Sequence, residues 1–462
     1  MLDQTLGPYK INSTQKDEIS YIYDIKAFEK NSCIKVEKSF LVSLTDGSGK
    51  AAIENYPVTF QVAYTMMQMP ETAMTPRIAD TRLGVFQTEK LALNNKTNEM
   101  EGVSFVKRWR VEPADTAAFL AGKLSEPKQP IVFYVEDALP EKWKEPVKKG
   151  ILRWNKAFEK IGLKNVVQVR DFPKNDPEFD PDNLKYSCVR YVPIAEENAM
   201  GPSWIDPRTG EIIKASVFVY NDISKLISNW RFVQTAQIDP RVRTEKLSDE
   251  IMAETMEYII AHEVGHTLGF MHNMAASAAY PTDSLRSPSF TAKYGTTASI
   301  MDYARFNYVA QPEDKGVALM PPFLGVFDYF LVEWTYKAFP ELKNDYQAES
   351  KKLNELVESH AGDPLYRYGV QQFGSKRYDP SALEEDLGDD PLKGGDYGLK
   401  NLQYILPHIS EWIKDDEDSS YKTGLYNEIA LQAYRYVSNV YMNLAGIYLN
   451  QTSEKSGIPR TA

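Results

Sequence analysis

The sequence is poor in histidine and cysteine: its 462 residues include five histidines and two cysteines, Cys33 and Cys188. Two cysteines are too few for the disulfide framework that stabilises many small secreted domains. One bridge between them stays open, although nothing in the sequence places the two residues near each other. We expect two buried thiols in a chain that is long enough to form a large hydrophobic core.

The sequence also lacks an excess of basic residues. Its 53 lysines and arginines stand against 64 aspartates and glutamates, which gives a formal net charge of −11. Proteins that bind nucleic acid without sequence preference need a basic surface, so this charge argues against that class. The short basic run at 107–110 does not change this, because we expect it to lie on a strand with alternating exposed charges.

Long apolar runs are absent as well. No stretch reaches the 18 or so uninterrupted apolar residues that predict a transmembrane helix. The first twenty residues lack the basic and then apolar regions of a signal peptide. Two interpretations therefore stay open: a cytoplasmic protein, or a mature or truncated form of an exported one.

The order of predicted elements indicates an α+β protein with three domains. Residues 1–113 contain runs of β-branched and aromatic residues separated by turn signals, which predict a β-rich N-terminal domain. Residues 114–335 mix strands with amphipathic helices. Residues 336–462 are predicted to be a helical, polar C-terminal region.

Three of the five histidines lie within the thirteen residues AHEVGHTLGFMHN, 261–273. On a helix, His262 and His266 are one turn apart on the same face, so their imidazoles can bind one metal ion, above all zinc. Gly269 can adopt the left-handed conformation that ends a helix. The chain can then turn and bring His272 to the metal as a third ligand.

Glu263, the residue after His262, indicates that the metal site is catalytic. Its carboxylate would lie beside the open fourth position of the metal, where it could take a proton from a metal-bound water. A closed structural zinc site is disfavoured, because no partnered cysteine is present and Glu263 would have no purpose there. The two remaining histidines, His360 and His408, stand alone in helical surroundings and are interpreted as structural.

The pattern HExxHxxGxxH, followed by a turn containing methionine, is the metzincin signature. The turn is predicted in SIMDYARFNYVAQP, with Met301 at its centre. Over about residues 74–400 the chain resembles a bacterial family of zinc-dependent metalloproteases whose catalytic part is called the Met-zincin domain. Among the segments that carry this resemblance are GPSWIDPRTGEII, NWRFVQTAQIDPR, SIMDYARFNYVAQPED and DPSALEEDLGDD. The resemblance implies a metzincin-like catalytic domain, with a twisted mixed sheet, a long active-site helix and a Met-turn.

The resemblance also implies roles for single residues. Met301 would pack beneath the metal site without binding the ion, and the hydroxyl of Tyr303 would stabilise the oxyanion. Asn273, after the third histidine, is not the Glu, Ser, Asp or Pro that is typical of the astacin, matrixin, adamalysin and serralysin groups, which indicates a separate branch. Export to the periplasm, the cell surface or the medium is implied by the resemblance alone.

The predicted function is a zinc-dependent endopeptidase that hydrolyses peptide bonds with one catalytic zinc ion, a zinc-bound water and Glu263 as general base. The expected partner is a protein or peptide substrate. The strand within 211–222 is predicted to pair with an extended substrate by strand addition.

Alternative interpretations stay open. The chain could be a catalytically silent metzincin-fold binding protein, or a latent enzyme covered by its own N-terminal region. A switch through Cys33 lacks the expected surrounding pattern. A downstream glutamate could replace His272 as a ligand. The acidic loop at 384–390 could bind calcium through its oxygens, but its spacing matches no EF-hand and nothing else supports such a site.

Overall fold

The computed structural model describes residues 5–94, 97–321, 323–342, 344–374, 377–414, 416–453 and 456–458. Its strands are Thr5–Leu6 (β1), Tyr9–Gln15 (β2), Tyr21–Ala27 (β3), Asn31–Thr45 (β4), Ala51–Met67 (β5), Gln87–Asn94 (β6), Glu99–Val106 (β7), Ile131–Val135 (β8), Val167–Asp171 (β9), Ser187–Val192 (β10), Ala199–Met200 (β11), Ser203–Asp206 (β12) and Glu211–Tyr220 (β13). Its α-helices are Thr116–Leu120 (α1), Glu141–Leu152 (α2), Asn155–Lys160 (α3), Ile223–Thr235 (α4), Asp249–Thr267 (α5), Pro288–Tyr294 (α6), Val326–Tyr336 (α7), Tyr346–Glu358 (α8), Pro391–Ile405 (α9), Ile409–Trp412 (α10) and Ser420–Tyr441 (α11).

The chain divides into two compact units. One consists of Met1–Glu71 with Pro173–Tyr186, and the other of Thr72–Phe172 with Ser187–Ala462. These units are defined by contacts and not by independent folding. The domain boundaries predicted after residues 113 and 335 therefore stay predictions. The mixed α and β content, the β-rich N-terminus and the helical C-terminus are confirmed.

The first unit contains an antiparallel sheet built around the long strand β4. Strands β2 and β3 pair with successive parts of one edge of β4, and β5 pairs along the other. The turn between β4 and β5 is closed by Asp46, whose carboxylate accepts hydrogen bonds from the backbone N–H groups of Ser48 and Lys50 at 2.9 and 3.0 Å. Aspartate is common in turns because its short side chain can bond the backbone two residues on.

The second unit contains a mixed sheet with the strand order β11-β13-β10-β8-β9, and β12 also pairs with β13. Strands β8, β9, β10 and β13 are parallel, whereas β11 and β12 run antiparallel to β13. Most side chains of β13 are buried, as expected for a strand inside a parallel sheet.

The position of β13 corrects one prediction. β10 pairs with one edge of this strand, and β11 and β12 pair with the other. Its backbone groups are therefore already used, so the prediction that the strand within 211–222 pairs with a substrate is wrong. The strand on the outer side at this end of the sheet is instead the antiparallel segment 199–206.

The basic run at 107–110 also differs from expectation. Strand β7 ends at Val106, and Arg108 forms an isolated bridge with Glu211 instead of continuing the strand. The Arg108 side chain is buried and donates a hydrogen bond to the carbonyl oxygen of Thr75. The prediction of a strand with exposed charges is therefore wrong for this residue.

Helix α5 begins where the sequence favours it. The hydroxyl of Ser248 caps it by accepting a hydrogen bond from the backbone N–H of Ile251, and Asp249 and Glu250 occupy its first turn. Almost all of its later residues are buried, so the helix lies inside the unit.

Both cysteines are buried. In the part of the chain that the structure describes, no helix is long and apolar enough to cross a membrane.

Candidate metal centre

Helix α5 and the chain that follows it bring three histidines together. One ring nitrogen from each of His262, His266 and His272 lies within 4.8 Å of the others. The Nε2 atoms of His266 and His272 are 3.0 Å apart. Within the described residues, this is the one group of three or more histidine, cysteine, aspartate or glutamate side chains with the geometry of a metal site.

Hydrogen bonds fix the orientation of each ring. The Nδ1 atoms of His262, His266 and His272 lie 2.7, 2.8 and 2.6 Å from the Ile300 carbonyl, the Phe270 carbonyl and the Gln371 side-chain oxygen. A carbonyl oxygen can only accept, so each Nδ1 carries the hydrogen and each Nε2 keeps a lone pair. Metal-binding histidines are oriented in this way by their surroundings.

The three imidazoles fit a zinc ion. Nε2 of His262 is buried and has no hydrogen-bond partner among the described residues. Burial lowers the pKa of His266 to about 4 and that of His272 to about 3, and it lowers the pKa of His262 well below its usual value. Three neutral rings therefore direct lone pairs towards one another, an arrangement that a cation stabilises. Zinc takes such nitrogen ligands in tetrahedral sites.

Glu263 lies beside this group with an unusual environment for a carboxyl group. It is 8% exposed, and no described residue forms a hydrogen bond with its carboxyl oxygens. Burial raises its pKa to about 8, while the charge of Arg305 opposes the rise. The side chain lines the same cavity as His262 and Tyr303, so its carboxyl group is available to a substrate.

Met301 packs against helix α5 at Gly265, the residue before His266. A Cβ atom added to Gly265 would come closer than 3.0 Å to the Met301 sulfur and to the Trp154 ring. Met301 is fully buried. The sequence between the two histidines therefore contains a glycine because the methionine occupies the space that a side chain would need.

Gly269 lies at the turn after α5, as the sequence predicts. Its φ of +95° is in the left-handed region, which favours glycine, and an added Cβ would collide with the carbonyl oxygen of Lys107. The chain reverses here, so that His272 returns to the two helical histidines.

The Tyr303 ring lies next to the histidines, with its centroid 4.3 Å from that of His272 and 5.5 Å from that of His262. Burial raises the pKa of its hydroxyl, which therefore stays protonated and can donate a hydrogen bond. The structure thus brings together all the residues that the sequence singled out for the site, while their individual roles stay predictions.

Two residues that support the site were missed from the sequence. Gln371, which accepts from His272, donates in turn to Glu384 at 2.7 Å. Asp328 accepts hydrogen bonds from the hydroxyl of Ser299 at 2.6 Å and the backbone N–H of Ile300 at 2.9 Å, and so holds the turn whose carbonyl orients His262. Both are distant in sequence from the histidines, and neither lies in a recognisable motif.

Asn273 has a structural role that its position in the sequence did not reveal. Its side-chain oxygen accepts from the backbone N–H of Gly369 at 2.9 Å, and its amide donates to the Arg367 carbonyl at 2.9 Å. Through these two hydrogen bonds, Asn273 holds the segment that contains Gln371 next to His272. An asparagine can donate and accept here, which an acidic residue could not do.

The acidic loop after residue 383 uses its carboxylates within the protein. Glu385 accepts hydrogen bonds from Gln234, Gln432 and Arg435, each at 2.7 Å. Asp386 accepts from the Ser277 hydroxyl at 2.8 Å. These contacts give the calcium hypothesis no support.

Comparisons with known families match two parts of the chain. Residues 2–114 match a family described as a domain of unknown function, DUF5117. Residues 244–461, which include every residue of the candidate site, match the family described as Met-zincin. No curated protein and no solved structure is significantly similar to the chain. The match over residues 244–461 supports a metzincin-like zinc metallopeptidase domain in this part of the chain.

Proposed function

We propose that this protein is a zinc-dependent endopeptidase that hydrolyses peptide bonds in a protein or peptide substrate. The proposal is carried by Nε2 of His262, which is buried, has no partner in the described part of the chain and converges with the ring nitrogens of His266 and His272 beside Glu263. We also propose that the protein acts outside the cytoplasm, which is based on the family resemblance alone.

The three Nε2 atoms would hold the metal. A zinc ion bound there would polarise the scissile carbonyl and lower the pKa of a water molecule. The carbonyl groups of Ile300, Phe270 and Gln371 would keep the imidazoles in the tautomer that can bind it.

Glu263 would be the general base. Its carboxylate would take the proton from the attacking water and pass it to the amine that leaves. The buried environment supports this role, because it raises the pKa of the carboxyl group to about 8 and makes it a better proton acceptor than a solvated glutamate.

Tyr303 would donate a hydrogen bond to the oxyanion that forms when the carbonyl is attacked. Such a donor acts mainly on the transition state, where negative charge develops on the oxygen. Its raised pKa supports this role, since only the protonated hydroxyl can donate.

The outer segment 199–206 would guide the substrate. Gly201 lies directly against α5, where an added Cβ would collide with the backbone oxygen of Glu263. An extended peptide that pairs with this segment would therefore pass close to the base and the metal ligands. This replaces β13 as the strand proposed to receive the substrate.

The proposal is tested by incubating the purified, zinc-loaded protein with a broad peptide library and analysing the products by mass spectrometry. Cleavage that a chelator abolishes and added zinc restores is the expected result. A protein that binds zinc but cleaves no peptide would contradict the proposal and favour a silent or latent binding protein.

A further inference from the structure

A cavity of about 170 Å³ lies next to the candidate metal centre. One part of its lining consists of His262, Glu263 and Tyr303. Another part is apolar and consists of Leu226 and Trp230 from α4. A substrate positioned for attack at the metal would place a neighbouring group in this cavity. The cavity is large enough to hold several water molecules or a small side chain.

Arg305 brings a positive charge to this cavity, whose lining also includes Glu197 and Glu263. Its guanidinium carbon lies 3.9 Å from the centroid of the Trp230 ring and 4.0 Å from that of Tyr303, so two aromatic rings hold the group in place. The side chain is 17% exposed. Its φ of +56° is unusual for a residue with a side chain, which indicates a constrained position.

The guanidinium group of Arg305 donates no hydrogen bond to the part of the chain that the structure describes. Its Nε is buried without a partner, and no described residue accepts a hydrogen bond from the guanidinium group. A partly buried guanidinium group with open N–H donors can bind a ligand that enters the cavity.

Among the described residues, no acidic group accepts a hydrogen bond from Arg305, although Glu263 lines the same cavity and lies within range of its charge. The nearest carboxylate oxygen is that of Glu385, 3.8 Å from Nε, and this carboxylate already accepts from Arg435, Gln234 and Gln432. Glu197, at the rim of the cavity, pairs with Lys225 at 2.6 Å.

We propose that Arg305 determines specificity by binding a carboxylate of the substrate. The carboxylate would come from an aspartate or glutamate side chain next to the scissile bond, or from a free C-terminus at the same distance. A guanidinium group held by two aromatic rings presents paired N–H donors that match a carboxylate. The inference deepens the proposed function and rests on it.

Matched fluorogenic peptides test the proposal. They differ at one position beside the scissile bond, which holds Glu in one and Gln in the other, and both have amidated C-termini. A third peptide ends with a free C-terminus at that position, and a fourth is its amide. We expect kcat/KM to favour one carboxylate peptide over its neutral partner by about tenfold or more. The favoured pair identifies the source of the carboxylate.

Variants test whether Arg305 causes the preference for the carboxylate peptide. In Arg305→Gln the ratio should fall to within about twofold of unity, and in Arg305→Lys it should be partly retained. Lys225→Gln removes an exposed cation near the same cavity and should keep the wild-type ratio. A wild-type ratio near unity for both pairs, or a preference that survives in Arg305→Gln, would overturn the proposal.

Measurements of peptide binding distinguish a failure of carboxylate recognition from a failure of the proposed peptidase function. Fluorescence anisotropy of the same peptides with zinc-loaded Glu263→Ala should show the same Arg305-dependent preference in Kd. If the wild-type protein cleaves none of the peptides but this preference is present, the proposed function fails and carboxylate recognition stands. If cleavage occurs without any preference in either measurement, carboxylate recognition alone fails.

Discussion

The side-chain oxygen of Gln371 lies 2.6 Å from Nδ1 of His272, although the two residues are 99 positions apart. Asn273 holds the backbone near Gln371, and Glu384 accepts a hydrogen bond from the glutamine amide. The third histidine is therefore oriented by a segment that no local motif contains.

Replacing Gln371 by leucine should weaken zinc binding about 10- to 100-fold, because partners that orient a ligand typically contribute that much. Competition with a chromophoric chelator measures the affinity. Gln347→Leu, at an exposed position of α8, should leave it unchanged. Equal affinities in wild type and Gln371→Leu would show that this hydrogen bond does not support the site.

His272→Ala should abolish stoichiometric zinc binding, because two histidines leave the site one protein ligand short. Metal content after gel filtration, by mass spectrometry, is the measurement. His360→Ala is the control, since this histidine stacks on Tyr366 away from the site. Full zinc retention in His272→Ala would instead support a downstream glutamate as third ligand.

Gly265→Ala should destabilise the protein by about 1 to 3 kcal/mol, because the new methyl group would overlap Met301 and Trp154. Gly424→Ala is a matched change in α11, where an added Cβ meets nothing within 4 Å. It should raise stability by about 0.5 to 1 kcal/mol, since glycine is unfavourable inside helices. Thermal unfolding compares them, and a tolerated Gly265→Ala would contradict the packing described for Met301.

Asp302→Asn should change how stability depends on pH. Burial, and then the charge of Asp386, raise the pKa of Asp302 well above its usual value, and burial raises that of Asp386 to about 7. The folded state therefore binds more protons than the unfolded state, so the free energy of unfolding falls as pH rises from about 4 to 7.

The variant removes one of these two buried charges, so its loss of stability between pH 5 and pH 8 should be smaller by more than about 1 kcal/mol. Urea unfolding at both pH values measures it. Asp418→Asn should follow the wild-type profile, because the hydrogen bond from Ser420 lowers the pKa of Asp418 and it stays ionised throughout this range. Parallel profiles for wild type and Asp302→Asn would refute the explanation.

The sequence predicted the part of the site that is local. Helical periodicity places His262 and His266 on one face, and Gly269 permits the turn to His272. Gln371, Asp328 and Arg305 could not be found in this way, because each makes contacts with segments that are distant in sequence. The edge of the sheet was misassigned because its true outer strands, β11 and β12, have two and four residues and lack a strand pattern.

Glu263 is proposed to act as the general base at a zinc site. The most direct measurement is the peptide cleavage rate of zinc-loaded Glu263→Ala, with its zinc content determined in the same sample and Glu254→Ala, on the same helix, as control. We expect full zinc content and a kcat lower by about 10²- to 10⁴-fold, while the control keeps wild-type activity. Cleavage at the wild-type rate by zinc-loaded Glu263→Ala would contradict the account.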